Sequence, residues 1–179
     1  MLSCRAALLQ SASVSELVGS GTGSASERGS LTVEVTAGAG PERPQCQSGK
    51  LSQVFMNIIV NAVQATESRW PDVEARKVEV ALSGVKDAGG SFESLKVLIR
   101  DNGTGMDEST RQRIFDPFYT TKDVGKGTGL GLSIVKGILD DHGAEVTVQS
   151  VVGEGTEFQL LFALDAKGAE GTQTENEAA

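Results

Sequence analysis

Two asparagines stand one helical turn apart in NIIVNA, at Asn57 and Asn61. Asparagine is a mediocre helix former, so a pair of them inside a helical pattern calls for a reason. An amide carbonyl is a hard oxygen donor of the kind Mg2+ takes, the remaining positions going to water and to phosphate oxygens of a substrate. Taken alone, the pair also fits two amides facing solvent. Asp101 opens DNGTGM at the end of an apolar run. A carboxylate there can accept a hydrogen bond from an exocyclic amine such as the N6 group of adenine. Gly103 and Gly105 would let a flat base lie against the backbone. A tight Asn-Gly turn is the plainer account. Lys122 and Lys126 flank a loop that runs into GKGTGLGLS and are the natural partners for phosphate charge. In that stretch Gly125, Gly127, Gly129 and Gly131 alternate with other residues, and Leu132, Ile134, Val135, Ile138 and Leu139 then follow at helical spacing. A helix that begins in glycines offers unpaired backbone N–H groups and the positive end of its dipole to an anion.

The familiar nucleotide motifs are absent. GxxxxGK[ST] occurs nowhere, and GxGxxG fails at residues 127 to 132, where Leu132 stands in place of the third glycine.

The elements that must hold these residues can be read from periodicity. LTVEVTA, Leu31 to Ala37, alternates like a strand. In KLSQVFMNIIVNAVQATESRW, residues Leu51, Val54, Phe55, Ile58, Ile59 and Ala62 form one apolar stripe. Gln53, Asn57, Asn61 and Gln64 form another stripe, and Ser48 is a candidate cap. KVEVALSG (77–84) and LKVLIRDNG (95–103) read as strands, joined by the polar VKDAGGSFES. MDESTRQRIF reads as a helix with acidic residues in its first turn, DPFYTTKDVGKGTG as a loop, and LGLSIVKGILDDHG as a helix ending near Gly143. EVTVQSV and TEFQLLFAL are strands around the turn GEG. This order predicts an α/β fold, a two-layer sandwich with a mixed β-sheet covered on one face by about three helices. Residues 1–30 read as a Ser/Gly-rich linker or disordered segment, with a short helix possible around Val14 to Val18. Residues 166–179 read as a disordered polar tail.

NIIVNA, DNGTG, FDPFYTT, GKGTGLGLS and GEGTEF, in that order, resemble the N, G1, F, G2 and G3 boxes of the sensor histidine kinase ATP-binding domain. The resemblance runs from about Leu31 to Leu164. It implies a Bergerat-type ATP-binding fold, shared with gyrase, chaperone and mismatch-repair ATPases, and an ATP-binding domain over 31–165. It also implies ATP and Mg2+ as ligands. Asn61 would hold the metal, with Asn57 beside it, and Lys122 would join the two asparagines in the catalytic set. Asp101 would read adenine among Gly103, Gly105, Met106 and Thr156. Phe115 and Phe118 would pin the near end of an ATP lid containing Thr121, Lys126, Gly127, Thr128, Gly129 and Leu130. The later glycines and the helix start from Leu130 to Ser133, including Gly131 and Leu132, would present backbone N–H groups to phosphate.

In related ATPases a glutamate one turn before the metal-binding asparagine activates water. Here that position is Asn57, which cannot act as a base at neutral pH. The resemblance therefore implies a protein-histidine kinase rather than a hydrolytic switch, with a serine kinase of the anti-sigma type as the other alternative. The partners implied are a histidine-bearing dimerisation domain and a response regulator receiver domain. The only histidine, His142, follows the last helix and reads as structural, so the phosphoacceptor is expected outside this chain. One departure stands out: many family members carry lysine where this chain has Gln64.

Composition agrees. The chain has 179 residues, 39% of them hydrophobic, enough for one domain with a modest core. A net charge of -8 and a pI of about 4.7 argue against nucleic-acid and membrane-surface binding, both of which need a basic face. Cys4 and Cys46 have neither disulfide nor metal spacing, and no signal peptide or membrane span is visible, which predicts a cytoplasmic, monomeric segment.

Overall fold

The computed structural model describes residues 33–37, 48–122 and 127–163. Five strands form one sheet: β1 (Val33–Ala37), β2 (Val78–Lys86), β3 (Phe92–Asp101), β4 (Ala144–Val151) and β5 (Gly155–Ala163), in spatial order β1-β2-β3-β5-β4. β1 runs parallel to β2, and every other pairing is antiparallel. The sheet is therefore mixed, as the sequence pattern predicts. Three α-helices are described: α1 (Ser48–Arg69), the short α2 (Glu108–Arg111) and α3 (Gly131–Asp141).

One face of the sheet carries the core. Val80, Leu82, Val97, Ile99, Phe158, Leu160 and Phe162 alternate inward along β2, β3 and β5 and meet the apolar stripe of α1. Leu51, Val54, Phe55, Ile58 and Ile59 on that stripe are essentially inaccessible to water. Val135, Ile138 and Leu139 of α3 complete the layer. The opposite face of the sheet stays polar, with Arg100 of β3 paired to Glu157 of β5. That one-sided burial is the ordinary economy of an antiparallel sheet.

Several boundaries differ from expectation. β2 and β3 extend into the polar connection, leaving only a tight turn in which Asp87 accepts from Ser91 N at 2.9 Å and Gly90 takes a positive φ of 83°. The helix expected over MDESTRQRIF is one turn long. Asp107 caps it by accepting from Thr110 N at 2.8 Å. The chain then tightens into turns through Arg113 N→Thr110 O and Asp116 N→Arg113 O. Pro117 follows at once, and a residue before proline is pushed out of helical geometry. Ser48 is the first residue of α1 rather than a flanking cap. The expectations for residues 1–32, including the short helix and Cys4, fall outside the described residues, as do Cys46 and the tail after Ala163.

Candidate functional site

The strand register draws three polar residues into one row. Asp101 pairs with Thr156 across β3 and β5, and Thr156 pairs with Ser150 across β5 and β4. Asp101 is 6% exposed. Its Oδ1 accepts from Gly103 N at 2.8 Å, yet burial dominates and pushes the carboxyl up to about 6. The Ser150 and Thr156 hydroxyls lie 3.0 Å apart. Ser150 Oγ also accepts from Met106 N at 2.8 Å and donates to Gly155 O at 3.0 Å. Ser150 thus ties the loop after Asp101 to the turn before Thr156, a role with no signal in the sequence. A serine in an alternating strand looks like any half-exposed position until the register is known.

Glycines close this end of the site because backbone packs against backbone there. A Cβ on Gly103 would stand 2.6 Å from the backbone of Ala65 in α1. On Gly105, at φ 64°, it would stand 1.9 Å from Val151 O, and on Gly155, at φ 123°, 2.0 Å from Asp101 O. In each case the space a Cβ would take is filled by the protein's own backbone. These glycines hold the Asp101 loop between α1 and the β4–β5 turn.

A second set of contacts fixes the same loop from behind. Arg69 Nη1 donates to Asn102 O at 2.9 Å and to Gly103 O at 3.2 Å. Trp70 Nε1 donates to Asn102 O at 2.9 Å. Asn102 in turn accepts from Lys77 N at 2.9 Å and donates to Ala75 O at 2.7 Å. The end of α1 therefore clamps the loop whose first residue is Asp101.

The polar stripe of α1 faces the start of α3 and the loop before it. Asn57 Nδ2 donates to Gly131 O at 3.2 Å. Asn61 Oδ1 accepts from Lys122 Nζ at 2.9 Å, and Gln64 Oε1 accepts from the same ammonium. Partial burial lowers the Lys122 ammonium from its ordinary value. Two neutral amide oxygens on one helix face thus hold a cation, which is the donor chemistry Mg2+ requires. Phe118 N donates to Gly129 O at 2.9 Å, and a Cβ on Gly129 would collide with the Phe118 backbone. Leu130 N donates to Thr128 Oγ1 at 3.4 Å. The first amides of α3, from Gly131 to Ser133, have no acceptor within a helix. A Cβ on Gly127 would meet Thr120 Oγ1 at 2.9 Å, and Thr121 lies exposed beside it. Lys126 falls outside the described residues.

The aromatic pair behaves differently from expectation. Phe115 packs against the core as an anchor should. Phe118 is 75% exposed and adopts a positive φ of 65°, and its attachment to Gly129 runs through the backbone, not the ring. His142 contacts Ile138 O through Nδ1 at 2.7 Å at the end of α3, the structural position expected of it.

No described helix is long and apolar enough to cross a membrane. Among solved structures, the chain is similar to the catalytic domain of histidine kinase ThkA in a nucleotide-free form, with a TM-score of 0.64 at 22% identity, covering 90% of this chain and 95% of that one. It is also similar to full-length ShkA in complex with AMPPNP, with a TM-score of 0.61 at 28% identity, covering 90% of this chain and 30% of that one. Among curated proteins, it is 36% identical over 118 residues to the signal transduction histidine-protein kinase AtoS of Escherichia coli (strain K12), covering 66% of this chain and 17% of that protein. It is 38% identical over 117 residues to the sensor kinase CckA of Brucella abortus (strain 2308), covering 64% of this chain and 12% of that protein. The chain therefore spans less than a fifth of these relatives. A family model described as histidine kinase-, DNA gyrase B-, and HSP90-like ATPase matches residues 46–166, and with the sheet and the helices in agreement, the chain belongs to that ATPase family.

Proposed function

We propose that residues 31–165 form the ATP-binding catalytic domain of a two-component sensor histidine kinase. In this reading Asp101 accepts from the adenine N6 amine, beside Thr156 and Met106. The amides at the start of α3 and the Lys122 and Lys126 ammonium groups meet the phosphates. Asn61 holds Mg2+, with Asn57 and Gln64 alongside. When bound, the metal supplies charge neutralisation for the phosphate oxygens. The chain's own residues position the nucleotide, which is most of what phosphoryl transfer asks of a protein. The γ-phosphoryl group passes to an imidazole nitrogen, forming a P–N bond as the bond to ADP breaks. This reading puts the acceptor on a histidine outside this chain, on a dimerisation domain, with a receiver domain next in the relay, and the contact of His142 Nδ1 with Ile138 O supports a structural role for the only histidine here. The setting is cytoplasmic, where ATP is available.

The observation that carries a kinase over a hydrolase is the contact of Asn57. Its side chain donates to Gly131 O at 3.2 Å, which an ionised carboxylate cannot do. A carboxylate at that position would repel the carbonyl and be free to activate water. The amide locks α1 to α3 and offers no base. The names of the relatives, sensor and signal-transduction kinases, support the same reading.

The test is incubation of the chain with γ-labelled ATP and the isolated histidine-bearing helical domain of a sensor kinase. The expected product is an acid-labile, base-stable phosphohistidine on that domain. Release of free phosphate with no label on protein would mark a hydrolytic switch instead. An acid-stable label on a partner would mark a serine kinase.

A further inference from the structure

Lys122 reaches back from its loop to α1, where its ammonium donates to Asn61 Oδ1 at 2.9 Å and to Gln64 Oε1. The two acceptors are three residues apart on one helix face, so their oxygens open onto the same point. That point holds one positive charge between neutral carbonyls. It is also the position that the reading above gives to Mg2+, and the inference rests on that reading. One carbonyl oxygen cannot serve both cations well. They would stand a few ångströms apart with like charge, in surroundings that screen less than bulk water does.

We propose that Lys122 is an exchangeable occupant of the metal position. Without Mg2+ the ammonium would offset phosphate charge from that position, and it would leave Asn61 when the nucleotide arrives with the metal. Gln64 makes the exchange possible. A lysine at 64 would set a second ammonium against Lys122 and expel it, whereas the neutral amide draws it in. The loop ammonium therefore competes with the metal for the same amide oxygen.

Calorimetric titration of the full chain with ATP, across a series of Mg2+ concentrations, tests this with Lys122→Met and Lys122→Gln beside the wild type. The first variant keeps the apolar stem and the second keeps polarity, so agreement between them isolates the charge. Both lie in an exposed loop, and circular dichroism checks that each remains folded. Without Mg2+, ATP affinity is expected to fall several-fold in both variants. The gain in affinity on adding Mg2+ is expected to grow by about tenfold, with the Mg2+ midpoint moving to lower concentration, as coupling between competing cations requires. Equal losses with and without Mg2+, at an unchanged midpoint, would overturn the exchange and leave Lys122 a plain phosphate contact. A smaller Mg2+ gain would also overturn it, making Lys122 a support for the metal. A wild-type chain that binds no ATP at all fails earlier, at the reading of the site itself.

Discussion

The two ends of the site are built in opposite ways. Around Asp101, backbone meets backbone: Gly103 against Ala65, Gly105 against Val151, and Gly155 against Asp101 itself. Around Asn61 the contacts are side chain to side chain, and one partner is a lysine on an exposed loop. The first end cannot change without moving the sheet. The second can exchange partners at the cost of a few hydrogen bonds. A site that must discriminate a base yet release a product gains from this division, because recognition needs fixed geometry and turnover needs contacts that break.

The contrast can be broken hardest at Gly155. Its φ of 123° and the 2.0 Å approach to Asp101 O leave no room for a side chain. Gly155→Ala is expected to destabilise the fold by roughly 3 to 4 kcal/mol in urea denaturation. A loss below about 0.5 kcal/mol, within the range of ordinary surface substitutions, would show that the Asp101 end is softer than its packing implies. Asp101→Asn comes next. It removes a charge-assisted acceptor, and ATP affinity by calorimetry is expected to fall about a hundredfold while the chain stays folded.

Acid should sharpen the difference further, because burial pushes the Asp101 carboxyl up to about 6 in the folded chain, above the ordinary carboxylate range. The raised value means that the folded state binds more protons than the unfolded one between about pH 4 and 6. Stability due to this group therefore rises as pH falls through that window, by at most about 3 kcal/mol, and is lost again as pH climbs past 6. Under the proposed function, ATP binding needs the ionised form and is expected to run the other way, weakening about fourfold from pH 7.5 to 5.5. Chemical denaturation and calorimetry over that range should give slopes of opposite sign, and Asp101→Asn should flatten both. The smallest effect belongs to Gly137, inside α3, where a Cβ meets nothing within 4 Å. Gly137→Ala is expected to stabilise by about 0.5 to 1 kcal/mol, with ATP affinity unchanged.

Much of this was legible in the chain. The stripes of α1 are a clean 3.6-residue pattern, so both the core face and the Asn57–Asn61 face follow from spacing alone. Asp101 stands at the end of an alternating strand, where a polar residue is conspicuous. The glycines announce close approach, but not of what: nothing local says that Ala65 or Val151 is the neighbour, because those contacts depend on how α1 and the β4–β5 turn dock. Nothing local marks Arg69, because its contacts with Asn102 and Gly103 lie more than thirty residues away in sequence. Phe118 misled for a different reason. An aromatic beside proline suggests a buried clip, whereas the positive φ turns the ring outward and leaves the backbone to make the attachment.

The clamp behind the Asp101 loop has a practical consequence. Trp70 is the single tryptophan in 179 residues, and its indole N–H donates to Asn102 O at 2.9 Å. The guanidinium of Arg69 lies 4.5 Å from its ring. Any shift of the Asp101 loop changes the hydrogen bond and the local field felt by one indole, with no second indole to dilute the signal. The protein thus carries its own fluorescent reporter, fixed to the segment that would grip the base. Emission from the unlabelled chain can follow that segment in real time.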